Sequence, residues 1–321
     1  MDKEKLYFNL IIFGSFILSF FVLSSIKSLW FLIGVVLTFV FICVASYLMQ
    51  KEQKKKANKI AQYNQTVKNN NAVENKPDYN DNDFYEWLKK FEPYTKMAAG
   101  LMKTTKKTNS KFGGMPYVSP EFVWPTFNGR PIPFLLQIDF SEINANNILQ
   151  NFPTSGIMYV FVDSELVNTS MEYKEGECYK VLYCENFNEL IEVEKPADLS
   201  IVYKEFNIEP KITKTYPDPE DCDEADELYC NRPFGGMDDD YDDLRYDNSE
   251  RHMLGGWATY IQSGGYCEGE NGSKTLLLQI GYEDDDDNFM WGDCGNLYFF
   301  IDKTDLINCN FNNVMLDMQC G

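Results

Sequence analysis

Two uninterrupted apolar stretches dominate the start of the chain. Residues 6–25 read LYFNLIIFGSFILSFFVLSS and residues 29–48 read LWFLIGVVLTFVFICVASYL, neither carrying a charge. At ~1.5 Å of rise per residue each run covers roughly 30 Å, the thickness of a bilayer's hydrocarbon core. Only Ile26, Lys27 and Ser28 separate them, so the pattern predicts an antiparallel transmembrane hairpin over residues 1–50. A cleaved signal peptide is the competing reading of the first run, because Lys3 and Lys5 precede it and small residues end it. Lys51, Lys54, Lys55, Lys56 and Lys59 follow the second run, whereas the turn offers Lys27 alone. By the positive-inside rule both ends face the cytoplasm, which predicts a multi-pass inner-membrane protein whose remaining domain is cytoplasmic.

Residues 51–82 lack sustained hydrophobic periodicity and read as a polar linker. Phe84, Trp87, Leu88 and Phe91 then recur at helical spacing until Pro93, with Asp83 and Glu86 as a candidate capping box. Beyond about residue 112 the chain breaks into short runs rich in Tyr, Phe, Val and Ile, punctuated by Gly, Pro and Asn, a β texture. These runs repeat. Gly113-Gly114 is followed 24 positions later by Gln137 within LLQI, and Gly255-Gly256 is followed 24 positions later by Gln279 within the same four letters. GIMYVFVD (156–163) and GNLYFFID (295–302) come next in each copy. The expected fold is therefore α+β, mostly antiparallel β over residues 83–321, with an internal duplication into two pseudo-symmetric lobes. Ile157–Val162 and Leu297–Ile301 show no polar alternation, so both strands should be covered on both faces.

Charge divides the chain. The net charge is −20, yet residues 1–59 hold eight Lys against three acids, so the remainder carries −25. That excess excludes nucleic acid as a partner for the domain and points to a basic protein instead, leaving the membrane to residues 6–48. From Asp218 to Glu250 there are fourteen Asp or Glu against Arg232 and Arg245. The segment at about 217–250 reads as an acidic loop too poor in apolar surface to order itself. The nine cysteines are odd in number and contain no C-x-x-C pair, which fits reduced thiols better than a disulfide scaffold or a zinc ribbon.

The strings SKFGGMPYV (110–118), Trp124-Pro125, PFLLQIDF (133–140), HMLGG (252–256), TLLLQIGY (275–282) and MWGDCGNLYFFIDKTDL (290–306) resemble the bacterial YwqG-like family over about residues 83–321. The resemblance implies a single α+β domain with internal duplication. It supplies no catalytic residues, because the family has no established activity. Some of its members occur in gene neighbourhoods of secreted toxins and their immunity proteins.

Familiar chemistries find little footing. His252 is the sole histidine, so any Ser-His-Asp or Cys-His mechanism would have to pass through it, and the first repeat has no counterpart. No phosphate-binding glycine motif occurs, and no cofactor is expected. The runs Asp238–Asp240 and Asp284–Asp287 place ligands on adjacent residues whose side chains diverge, so no metal site is expected. Trp291, Gly292 and Asp293, lying between an acidic run and an apolar strand, form the candidate functional surface, the competing reading being a tight turn in which Asp293 caps backbone N–H groups and Trp291 packs. Gln137 and Gln279 join them as polar groups within apolar strands, expected to satisfy each other or nearby backbone at the lobe interface, with ligand contact second. Two functions follow: an interaction module of immunity type that binds a basic partner, or an enzyme acting on a small polar substrate in a cleft between the lobes.

Overall fold

The computed structural model describes residues 79–170, 172–185, 189–262, 264, 273–283 and 289–321. Asn80 opens the fold as a helix cap: its side chain accepts the Asn82 and Asp83 N–H groups, and Asp83 returns a bond to the Asn80 N–H. Helix α1 (Asp81–Leu88) thus starts on a reciprocal capping box, slightly earlier than the Asp83 and Glu86 pair predicts. Pro93 lies in the 3-10 turn Lys89–Tyr94 that ends it.

Ten strands follow in one sheet. They are β1 (Lys96–Thr104), β2 (Lys111–Phe112), β3 (Phe134–Asp139), β4 (Ile157–Val162), β5 (Tyr179–Cys184), β6 (Phe206–Thr215), β7 (His252–Gly255), β8 (Lys274–Gly281), β9 (Asn296–Asp302) and β10 (Met315–Gln319). The spatial order is β10-β9-β8-β7-β1-β6-β2-β3-β4-β5, antiparallel throughout. Short helices punctuate it: α2 (Phe140–Ile143), α3 (Ser164–Thr169), α4 (Asp223–Cys230), α5 (Met237–Asp247) and α6 (Lys303–Ile307). Asp139 and Asp302 end their strands, Asp163 directly follows β4, and each caps the short helix that follows, accepting the Ser141, Leu166 and Thr304 N–H groups.

Two expectations are corrected here. The domain does not divide into two packed lobes: β1 and β6, paired along nine residues from Lys96↔Thr215 to Thr104↔Asn207, join both wings into one continuous sheet. The wings nevertheless repeat a local arrangement, described below. The second correction concerns the membrane. The runs 6–25 and 29–48 lie outside the described residues, as does most of the 51–82 linker, and no helix among the described residues is long and apolar enough to cross a membrane. The transmembrane hairpin is therefore not part of the observed fold, and the multi-pass, cytoplasm-facing placement derived from it is not carried forward.

The main core is lined by both wings: Leu136, Ile138, Met158 and Val160 pack in one cluster with Leu278, Ile280, Leu297 and Phe299. The sheet curls far enough that Tyr183 on the edge strand β5 stacks at 4.9 Å on Phe311, next to β10. On the opposite face Tyr159 and Phe161 are covered by Val118, Phe122 and Trp124, while Tyr298 and Phe300 are covered by Ala258 and Tyr260. Both faces of β4 and of the central part of β9 are thus buried, as their unbroken apolar sequence requires.

The acidic stretch is ordered, contrary to its composition. Met237, Tyr241 and Ala225 are buried against Trp87, Leu88 and Phe91, and the Tyr241 ring lies 4.4 Å from that of Phe91. Apolar residues at helical spacing among the carboxylates supply the buried face, each large one contributing ~1.5–3 kcal/mol.

Candidate functional site

The residues singled out in the sequence do not converge. Gln137 is fully buried, accepts the Tyr117 N–H at 2.8 Å and donates to the Asn109 carbonyl. Gln279 does the same in the other wing, accepting the Thr259 N–H at 2.9 Å and donating to the Glu250 carbonyl and to Thr259 Oγ1. In each wing a tyrosine on the next strand completes the set: Tyr159 donates to the Tyr117 carbonyl at 2.9 Å and Tyr298 to the Thr259 carbonyl at 2.7 Å. The glutamines therefore do not satisfy each other. Each pins the segment that leaves its own Gly-Gly turn and crosses the outer face of its wing. All four glycines have positive φ, and a Cβ on Gly256 would lie 2.7 Å from Ala98 Cβ and 2.9 Å from Thr215 Oγ1.

Trp291 lies on the other side of the sheet from Gln279. It is buried in the main core with Leu278 and Ile280, the neighbours that point away from Gln279, and its indole N–H donates to the Gly281 carbonyl. Asn168 clamps the following turn, accepting the Gly292 N–H at 2.9 Å and donating to the Met290 carbonyl. Of the turn residues Gly292, Asp293 and Cys294, all exposed, Asp293 is the one with a charge.

An open groove of about 490 Å³ lies elsewhere, lined by Leu101, Met102 and Lys103 of β1, by Glu250, Arg251 and His252 at the entrance to β7, and by Glu283 just after β8. Its centre is a three-membered chain. His252 Nε2 lies 2.8 Å from Glu283 Oε1, and Lys103 Nζ contacts Glu283 Oε2. Pairing of β7 with β8 in the register His252↔Ile280 brings the histidine to the strand end from which Glu283 emerges, and the Glu283 N–H is held at 2.9 Å by the Phe289 carbonyl. The imidazole is packed between Phe112 and Phe289, ring centroids 4.9 and 5.5 Å away. Burial pushes His252 below its ordinary pKa and outweighs the opposing effect of Glu283, so the ring is neutral at pH 7 and donates Nε2–H to the carboxylate. Burial alone would raise Glu283, but hydrogen bonds from His252 and Lys103 prevail and bring it down to about 2. His252 Nδ1 is buried with no hydrogen-bond partner among the described residues. A second ion pair flanks the first, Lys211 Nζ lying 2.5 Å from Glu250 Oε1.

Aligned on the two Gly-Gly-to-Gln repeats, Ser110 and Ser141 stand in the other wing where His252 and Glu283 stand in this one. Both Glu142 oxygens are taken there, by the Asn109 and Ser110 N–H groups at 2.8 Å each. The His252–Glu283 pair is thus a feature of one wing. Sequence alone hinted at it through the solitary histidine, but Lys103 and Glu283 lie too far apart along the chain to be connected without the sheet order.

A family model described as Domain of unknown function (DUF1963) matches residues 110–320. The chain belongs to this family. The match begins at β2, so α1 and β1, which carries Leu101, Met102 and Lys103, precede it. No curated protein matches the chain. Membership in the DUF1963 family fixes no activity, and a function has to be argued from this chain's own surfaces.

The most highly charged of these is the outer side of α4 and α5. Asp223, Glu224, Asp226 and Glu227 are exposed on α4, and Asp239, Asp240, Asp243 and Asp247 on α5. The two cations of this stretch are engaged by its own acids. Arg232 pairs with Asp238 at 2.7 Å, and the buried Arg245 pairs with Asp218 at 2.5 Å and Asp242 at 3.4 Å. Phe234 and Tyr246 are exposed aromatics of the same segment, 36 % and 56 % accessible. Among the described residues no group of acidic, histidine or cysteine side chains is arranged to hold a metal ion.

Proposed function

We propose that this DUF1963 domain is a protein-binding module that docks a basic partner on the exposed face of α4 and α5. The observation that carries this reading is the set of eight exposed carboxylates on two ordered helices, which no cation among the described residues pairs with. A disordered acidic tract would lose conformational entropy on docking, whereas these carboxylates are already fixed by the Tyr241, Met237 and Trp87 cluster. Like charges concentrated on neighbouring stretches of the chain steer an oppositely charged partner, and the exposed Phe234 and Tyr246 of the same segment offer aromatic anchors. The finer resemblance to YwqG-like proteins, some of which occur beside secreted toxins, gives the reading its specific form: an immunity-type role in which the basic partner is a toxin.

The alternative of an enzyme using Asp293 with the two glutamines draws no support from their placement, since both amides are spent on their own wing's backbone.

The test is a charge-neutralised variant, Asp239→Asn with Asp243→Asn and Asp247→Asn, titrated with a lysine- and arginine-rich peptide. These side chains face solvent, so folding is retained. The expected outcome is a loss of affinity of about threefold or more, each lost exposed charge pair removing on the order of 0.2–1 kcal/mol. Unchanged affinity in a folded variant refutes docking on this face.

A further inference from the structure

The groove beside β1 already holds an ammonium group. Lys103 Nζ contacts Glu283 and lies 4.5 Å from the centre of the Phe206 ring, so carboxylate and aromatic face together enclose it. That ammonium comes from a half-exposed side chain, 48 % accessible, whereas the carboxylate it meets is 9 % accessible. The flanking pair has the same asymmetry, Lys211 being 60 % and Glu250 19 % accessible. In both pairs the acid is built into the wall and the base is a solvent-exposed chain end that water can accept, an arrangement in which the base is weakly held. Leu101 and Met102 add apolar lining, to which a methylene chain can pack.

His252 lines the same groove, and its buried Nδ1 is an unfilled acceptor among the described residues. Burial keeps the ring neutral, so it does not add a further cation. Arg251 also lines the groove, but its guanidinium lies 4.6 Å from the Tyr282 ring centre and donates to the Tyr282 carbonyl, so the ring and carbonyl of Tyr282 hold it.

We propose that this groove is a binding site for an aliphatic ammonium ligand, a free polyamine or a lysine side chain, which displaces the Lys103 and Lys211 head groups from Glu283 and Glu250. The site is separate from the α4–α5 face, and the inference does not rest on docking there.

Calorimetric titration of the full chain with cadaverine, spermidine and Nα-acetyl-lysine amide tests it, with succinate as the anionic control. The amines bind and succinate does not. Glu250→Gln weakens amine binding at least tenfold, whereas Lys103→Met strengthens it several-fold by removing the internal competitor. Binding of spermidine alone identifies a polyamine site, and binding of the lysine amide alone identifies a site for protein lysine. The inference is overturned if no amine binds, if Glu250→Gln binds equally well, or if Lys103→Met weakens binding, since the lysines would then be recognising an anion. Neutralising Asp239, Asp243 and Asp247 leaves cadaverine affinity unchanged. A loss there would place the amine on the helices and overturn the groove assignment without touching the docking proposal.

Discussion

At the scale of single residues, the two buried glutamines show how a polar letter in an apolar strand is explained by backbone that has left the sheet. Gln279 occupies its place because the Thr259 N–H and the Glu250 carbonyl need partners where water does not reach. Gln279→Leu leaves both unmet, and urea denaturation should show a loss of ~1–3 kcal/mol, larger than that of a surface glutamine. Gln137→Leu should behave alike in the other wing. Glu283 and His252 make stability depend on pH in one direction. Glu283 is depressed in the fold to about 2 from an ordinary value of 4.5, so its contribution is present above 4.5 and is lost as pH falls towards 2. His252 is likewise depressed below 6.5, so the unfolded chain takes up that proton first and stability starts to fall as pH drops through 6.5. Melting curves should therefore shift downwards from near pH 6.5, and Glu283→Gln should flatten the part of the fall below pH 4.5. A Glu283→Gln profile parallel to wild type would show that the pair does not titrate as described.

At the scale of elements, legibility followed the reach of the interactions. The Gly-Gly turns, the two-sided burial of β4 and β9 and the β-rich texture were open to a sequence reading, because positive φ and strand burial impose their letters locally. The central pairing of β1 with β6 was not, since those strands lie more than a hundred residues apart and carry no matching motif. Without that pairing the two repeats looked like separate lobes, and the groove residues Leu101 to Lys103 had no visible neighbours. The acidic helices are masked by composition for another reason. Counting fourteen acids hid the spacing of Ala225, Leu228 and Tyr229, and of Met237, Tyr241 and Leu244, which give the two helices their buried or half-buried sides. Tyr241→Ala removes the ring packed against Phe91 and the hydroxyl bonded to the Pro217 carbonyl. The expected result is a loss of ~3–5 kcal/mol, with helical circular dichroism lost before the sheet signal. Gly256→Ala, at φ +80 with Ala98 and Thr215 in the way, should cost at least ~1 kcal/mol in the same assay.

At the scale of the whole molecule, charge and architecture combine. The net charge of −20 could have been spread evenly, but the described residues gather eight exposed carboxylates on two helices whose cations are turned to internal pairs. The groove beside β1 places two further carboxylates, Glu250 and Glu283, under half-exposed lysines. Both features favour positively charged partners, and both weaken as salt screens them. The most direct measurement of the central claim is the affinity of the domain for a lysine- and arginine-rich peptide, titrated from low to near-molar salt beside a glutamate-rich peptide of the same length. The account predicts binding of the basic peptide alone, falling steeply with salt and weakened by the triple neutralisation of α5. Salt-independent binding, or equal binding of the two peptides, would contradict it.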